Sequence, residues 1–432
     1  MGPTCRELLR SLYLKLLYFP LSERRCPESF RRWRSLPSYP LGNDAAKLLP
    51  PPGQLPDLVF LPMVDWHAPR QRSQQLAHAF RTLGHRCLYL NPHLGRELAR
   101  PALFDLRPLL TSIEPGILEL HTPLAREPVY HHRRLTADEA RRVATAVDAT
   151  LRCFGAREVV LIASLPTWDP VVESIRADWN APVVVDCHDL LRGFGDFAPE
   201  LIETEGRMLE RAELAIFSSQ ALLDEHLARH PKLAARALLL RNAVVPGDFA
   251  LPPAPGARPF TVGYAGACGH WFDFELLRDA ARLRPEWKFE VIGRLGEGVS
   301  PRVFSGLENL RHLPEVDYSL LPEHMHRFDI GVIPFRITPL TLATNPVKLY
   351  EYFACGFPVV TTRLPEVERY GELIYAATGV DEFVRQLDRA AAESDPTLGA
   401  GRRQVAARET WLTRCQQLSE ALERPPARAV GA

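Results

Sequence analysis

A lysine and a glutamate one helical turn apart are the residues of this sequence best suited to hold a charged ligand. They lie in Asn345-Pro-Val-Lys-Leu-Tyr-Glu351, between a polar loop and an apolar run. The spacing predicts a helix over 346–354, with Pro346 in its first turn, where a missing N–H costs nothing. A helix N-terminus exposes amide groups that suit an anion such as a diphosphate, and Lys348 adds a full positive charge there. Glu351 is placed to accept both hydroxyls of one ribose. Asn345 and Thr344 occupy the loop just before it. By spacing alone, the same segment is equally an ordinary helix whose charges are solvated.

Two other places offer chemistry. Asp186-Cys-His-Asp189 ends an apolar run, so its polar residues emerge where a buried strand leaves a sheet. His188 and Asp189 are therefore candidates for handling an acceptor hydroxyl or a sugar; a strand-end turn with local hydrogen bonds is the alternative. In Val262-Gly-Tyr-Ala-Gly266, followed by Gly269, the glycines let a backbone approach a phosphate because no Cβ intervenes. A tight turn would use Gly266 in the same way. Arg294, just after the next apolar run, can reach a diphosphate or simply face water.

These residues need elements to position them. Asp57-Leu-Val-Phe-Leu-Pro-Met reads as a strand, 72–83 as a helix stopped by Gly84, and Arg86-Cys-Leu-Tyr-Leu as a second strand. Strand, helix, strand is the unit of a parallel sheet. The alternation continues with a helix over 135–154, opened by the capping pattern Thr136-Ala-Asp-Glu. Strands at 158–163, 182–186, 214–218 and 237–241 follow, with helices at 203–211 and 221–229. Pro- and Gly-rich residues 246–259 mark a boundary, after which strands at 260–265, 288–292, 330–334 and 357–361 alternate with helices, one at 273–284. A last helix covers 402–423. The fold class is α/β, with two consecutive doubly wound domains and ligand capture expected in the cleft between them. The divisions are 1–50, a basic amphipathic segment and Pro-rich linker; 51–250; 251–401; and 402–432.

The segment 328–367 resembles the donor-binding region of GT-B glycosyltransferases, particularly a large retaining family. That family's core is Pro-x-Lys-x-x-Glu-x-x-Ala-x-Gly-x-Pro-Val-Val, and this chain supplies Pro346, Lys348, Glu351, Ala354, Gly356, Pro358, Val359 and Val360. The resemblance implies two Rossmann-like domains, with Glu351 on the ribose of a nucleotide sugar and Lys348 near its phosphates. It also implies that residues 402–432 carry a helix crossing back to the first domain. An earlier glutamate common in the family is replaced by Ala343, which leaves open how the sugar ring is held. Arg70-Gln-Arg-Ser-Gln-Gln-Leu resembles a subgroup of polysaccharide and cell-envelope pathways. There the loop after the first strand faces the cleft, so Asp65, Trp66, Arg70 and Arg72 become candidate contacts to donor or acceptor.

Bulk properties narrow the alternatives. Lysine plus arginine equals aspartate plus glutamate at 52 each, so no global charge points to nucleic acid. Eight scattered cysteines without a CxxC pair point to reduced thiols rather than a zinc ribbon. No Asp-x-Asp, P-loop, Gly-x-Gly-x-x-Gly, His-Glu-x-x-His or Gly-x-Ser-x-Gly pattern occurs. The reading is a metal-independent transferase without a cofactor, moving sugar from a nucleoside diphosphate to a hydroxyl of a glycan or lipid-linked intermediate; retention is implied by the resemblance. A nucleotide-sugar epimerase and a catalytically silent scaffold remain as alternatives. With no leader or membrane-spanning run, a cytoplasmic chain is expected. The leucine stripe of residues 8–17 and the arginines around it suit either an anionic membrane at the inner face of the plasma membrane or docking on the chain itself.

Overall fold

The computed structural model describes residues 36, 38–41, 48–67, 69–92, 108–122, 124, 132–250, 258–296 and 298–423. The amphipathic N-terminal segment lies outside them. The first domain contains β1 (Ser38–Pro40), β2 (Asp57–Leu61), α1 (Arg72–Thr82), β3 (Cys87–Leu90), β4 (Leu109–Glu114) and β5 (Ile117–His121). It continues with α2 (Ala137–Cys153), β6 (Val159–Ala163), α3 (Asp169–Trp179), β7 (Val183–Cys187), α4 (Pro199–Arg211), β8 (Leu214–Phe217), α5 (Gln220–Arg229) and β9 (Ala237–Leu239). Its strands lie in the order β1-β4-β5-β3-β2-β6-β7-β8-β9. From β5 through β9 every neighbouring pair is parallel. β6 is apolar and buried throughout, and β2 is buried throughout and apolar after Asp57, as a sheet covered on both faces requires. The capping pattern before α2 forms as read: Thr136 and Glu139 exchange side-chain-to-backbone hydrogen bonds.

The antiparallel edge β1-β4-β5 has no counterpart in the sequence reading. Its hairpin turns at Pro115-Gly116, with Gly116 at φ +95°. An irregularity between Ser112 and Glu114 breaks the alternation that would mark β4 as a strand.

The second domain contains β10 (Thr261–Ala265), α6 (Phe274–Leu283), β11 (Lys288–Ile292), β12 (Leu310–Leu313), β13 (Ile330–Ile333), α7 (Val347–Cys355), β14 (Val359–Thr362), β15 (Tyr375–Ala377) and α8 (Gly379–Ala391). Single-turn helices at Leu321–Met325, Pro339–Leu342 and Pro365–Glu368 join some of these. The strand order is β12-β11-β10-β13-β14-β15, all parallel. Connections therefore reverse direction between β10 and β13, and a crevice opens at the carboxyl ends of those strands. Pro346 is the N-cap of α7, one position before the expected first turn.

One long terminal helix was expected over 402–423; two form instead, α9 (Pro396–Arg408) and α10 (Trp411–Glu423). The break is where the chain changes domain. Val244 N–H donates to Glu409 O at 3.1 Å, and Trp411 N–H donates to Val244 O at 3.3 Å. Amides that would continue the helix are spent on this pairing. Beyond it, Trp411, Cys415 and Leu418 join the buried cluster of α1, β2, β3 and β8. In return, Leu340 and Ala343 enter the apolar cluster on the other face of the first sheet. The described cysteines (Cys87, Cys153, Cys187, Cys268, Cys355, Cys415) are free thiols.

Trp411 is 1% exposed. Trp411→Ala should destabilise the chain by about 3–5 kcal/mol, through lost burial and the cavity left behind. Denaturant unfolding checks this, and an unchanged midpoint would remove α10 from the interdomain contact.

Candidate active site

The cleft between the domains has a volume of about 390 Å³ and is lined from both sides. From the second domain come the Gly266 turn, Gly293-Arg294, Phe335 and the first turn of α7. From the first come Met63-Val64, Arg70 to Arg72, His188-Asp189 and Phe194. Lys348 crosses this space with its Nζ 5.3 Å from the Tyr264 ring centroid and 5.2 Å from that of Phe335. Gly266 has φ +148°, and a Cβ there would meet Lys348 Cε at 2.8 Å. Glycine at this position thus leaves the lysine room beside the backbone turn.

A buried polar network registers the two walls. Arg72 donates from Nε to both Asp186 oxygens (2.8 and 3.0 Å) and from Nη1 to Asn242 Oδ1 (3.0 Å). The Asn242 backbone N–H donates to Asn345 Oδ1 at 2.9 Å, and Asn242 Nδ2 donates to Asn345 O at 2.6 Å. Asn345 Nδ2 donates in turn to Glu366 Oε2 at 3.1 Å. Glu366 also accepts from Arg241 Nε and from the Gln220 backbone N–H, each at 2.7 Å. Asn345 therefore lines the cleft with its amide committed to the clamp. Arg72 is equally committed, except that its buried Nη2 has no hydrogen-bond partner.

His188 stands at the mouth of β7 with Nδ1 donating to Asp186 O at 3.2 Å. That bond turns Nε2 toward the Asp189 carboxyl. Asp189 Oδ2 lies 3.9 Å from that nitrogen, and burial pushes the Asp189 carboxyl up while His188 opposes the shift. Thr344 lines the cleft but its hydroxyl donates to Leu340 O at 2.8 Å. Arg294 is exposed at the rim.

The remaining candidates gather elsewhere. Arg70 also faces a second cavity of about 440 Å³, shared with Trp66, His67, His78 and Glu315. There its guanidinium lies 5.0 Å from the Tyr318 ring centroid, which separates the two spaces. Trp66 packs on His78 and Tyr89, both at 5.0 Å between centroids. Asp65 lines neither cavity; its Oδ1 accepts from the His67 backbone N–H at 2.7 Å.

Comparison with known proteins agrees with this architecture. A family described as glycosyl transferase-like matches residues 274–420, the part that holds α7 and Gly293-Arg294 of the crevice. A Bacillus subtilis (strain 168) protein named as a teichuronic acid biosynthesis glycosyltransferase, TuaH, is 28% identical over 269 residues. The match spans 58% of this chain and 66% of that relative's length. Among solved structures, Anabaena HepE in complex with UDP and glucose superposes with a TM-score of 0.60 at 14% identity, over 86% of this chain and 100% of that one. A UDP-forming trehalose-phosphate synthase from Burkholderia xenovorans gives a TM-score of 0.61 at 11% identity, covering 86% and 99%. At such identities the two structures speak for the fold.

The chain has the fold of GT-B glycosyltransferases.

Sequence patterns alone did not mark the residues that close the crevice from the β12 side. Glu315, Val316 and Tyr318 line it, and Gln75 Nε2 donates to Tyr318 OH at 3.1 Å across the domains. Their signal was present in Leu313-Pro-Glu-Val-Asp-Tyr, a polar loop directly after a strand. Glu366 carried no local signal, because its role exists only once Arg241 and Asn345 have met it.

Electrostatics sharpen the picture of α7. Burial raises the Glu351 carboxyl from 4.5 to about 7; Lys348 opposes the shift and Asp248 adds to it. Burial lowers the Lys348 ammonium, and Glu351 pulls it back. A folded-state pKa above the unfolded value means that the folded protein binds this proton more tightly. The stabilisation is full below about 4.5 and is lost as pH rises through about 7. Glu351→Gln should therefore lose less stability than wild type between pH 5 and 8, by roughly 1–3 kcal/mol. Parallel denaturation curves measure it; identical pH slopes would show that Glu351 is not buried in this way.

Proposed function

We propose that this chain is a glycosyltransferase that takes a nucleoside-diphosphate sugar in the cleft and transfers the sugar to a hydroxyl acceptor. The observation that carries the reading is the placement of Lys348 and Glu351, one turn apart on α7, in a crevice that also holds Gly266 and His188. The amides at the start of α7, the Gly266 turn and Lys348 hold the diphosphate, with the unpartnered Nη2 of Arg72 and the rim guanidinium of Arg294 as further donors. Glu351 accepts from the ribose hydroxyls. His188 and Asp189 face the sugar and the incoming hydroxyl. Such positioned charge stabilises the leaving diphosphate without a metal beside it. We read the transfer as retaining, on the strength of the segment 346–360.

UDP sugars are the first donors to test, since the HepE structure holds UDP and the Burkholderia xenovorans synthase is UDP-forming. The relative named for teichuronic acid synthesis supports a cell-envelope glycan or its lipid-linked intermediate as acceptor. We read the work as cytoplasmic, at the inner membrane face that the basic N-terminal segment would suit. No helix among the described residues is long and apolar enough to cross a membrane.

Lys348→Ala and Glu351→Ala should each lower kcat/KM for sugar transfer by about a hundredfold or more while leaving the circular dichroism spectrum unchanged. Wild-type turnover in either variant would overturn the assignment. Incubation with donor alone separates an epimerase, which would change the sugar without an acceptor. No turnover, with no thermal shift from any nucleoside-diphosphate sugar, would indicate a silent scaffold.

A further inference from the structure

Directly behind the His188-Asp189 loop, three elements bring one side chain each to a common point. Cys187 ends β7, Glu205 lies on α4 and His226 on α5, and they are 3%, 9% and 5% exposed. Cys187 Sγ is 3.4 Å from His226 Nε2 and 3.9 Å from Glu205 Oε1. One ligand atom from each residue lies within 4.8 Å of the others. Tetrahedral zinc, with Zn–S near 2.3 Å and Zn–N or Zn–O near 2.0–2.1 Å, places its ligand atoms about 3.5 Å apart. The cluster is already close to that shape.

We propose that Cys187, Glu205 and His226 form a structural zinc site. Thiolate, carboxylate and neutral imidazole form a donor set suited to this borderline-soft dication. The charges agree as well: one thiolate and one carboxylate neutralise one dication, so the buried complex carries no net charge. Without metal the same groups resist charging. Burial lifts the Glu205 carboxyl to about 8, drives the His226 imidazolium down to about 4, and raises the Cys187 thiol. The cations nearby are occupied: Arg192 and Arg229 pair with Glu225 at 2.5 and 3.3 Å. Asp189 O, 4.0 Å from Cys187 Sγ, or a water completes the fourth position.

On binding, Cys187 and Glu205 release their protons and Zn²⁺ takes their place, so occupancy increases with pH. The site pins β7 to α4 and α5 immediately before the chain turns into the cleft. Its role is to hold His188 and Asp189 in place, and metal binding itself stands whether or not the donor reading holds.

The full chain, purified without chelator and given Zn²⁺, should retain one zinc per chain by elemental analysis. Co²⁺ in its place should give the near-ultraviolet thiolate-to-metal band and the strong visible absorption of a four-coordinate site. Cys187→Ser should abolish the band, and His226→Gln or Glu205→Gln should lower zinc retention to background. Failure of the wild-type chain to take up either metal overturns the site, and so does cobalt binding without the thiolate band, whether or not the variants fold. A band that survives in folded Cys187→Ser places the metal elsewhere and also overturns it.

Discussion

Everything in the cleft depends on one buried carboxylate. Glu366 is 3% exposed and accepts from Arg241, from the Gln220 backbone and from Asn345, so one residue of the second domain holds three groups that belong to both. The network runs on through Asn242 to Arg72 and Asp186 at the mouth of β7. Separating the domains would strand several buried polar groups, at about 1–3 kcal/mol each where water cannot replace the partner. Hydrophobic contact reinforces the same closure, with α10 on the first domain and Leu340 and Ala343 in its core. The start of α7 is thereby set opposite His188 before any ligand arrives.

That fixed geometry explains the electrostatic state of the site. Lys348 and Glu351 are each pushed toward neutrality by burial, and each partly restores the other. On the proposed reading, a diphosphate entering between the Gly266 turn and α7 would meet the Lys348 ammonium. Preorganised donors of this kind need no rearrangement when charge develops on a leaving group, which is why they contribute so much to rate.

How legible this was in the sequence follows from the range of the interactions involved. The alternation of strands and helices, the cap at Thr136 and the Lys348/Glu351 spacing are local, and they stand close to where the residues alone put them. The hairpin β4–β5 was hidden by its irregular register, and the α9–α10 break by a pairing with Val244, far away in sequence. Asn345 shows the limit most clearly. Its position beside α7 was readable, but its amide belongs to a contact with Asn242, 103 residues away. Trp66 and Asp65 were placed in the cleft by resemblance, whereas packing on Tyr89 and His78 turns the tryptophan toward the neighbouring cavity. The alanine at 343, where the resemblance would put a glutamate, is a core residue whose carbonyl accepts from Ser219 at 2.6 Å. The position serves domain closure here.

The most direct test is a crystal structure of the full chain with a nucleoside diphosphate bound. The account predicts the ribose hydroxyls on Glu351 and the diphosphate against Gly266, Lys348 and the first amides of α7. A nucleotide bound instead in the second cavity, beside Trp66 and His78 and out of reach of Lys348, would contradict it.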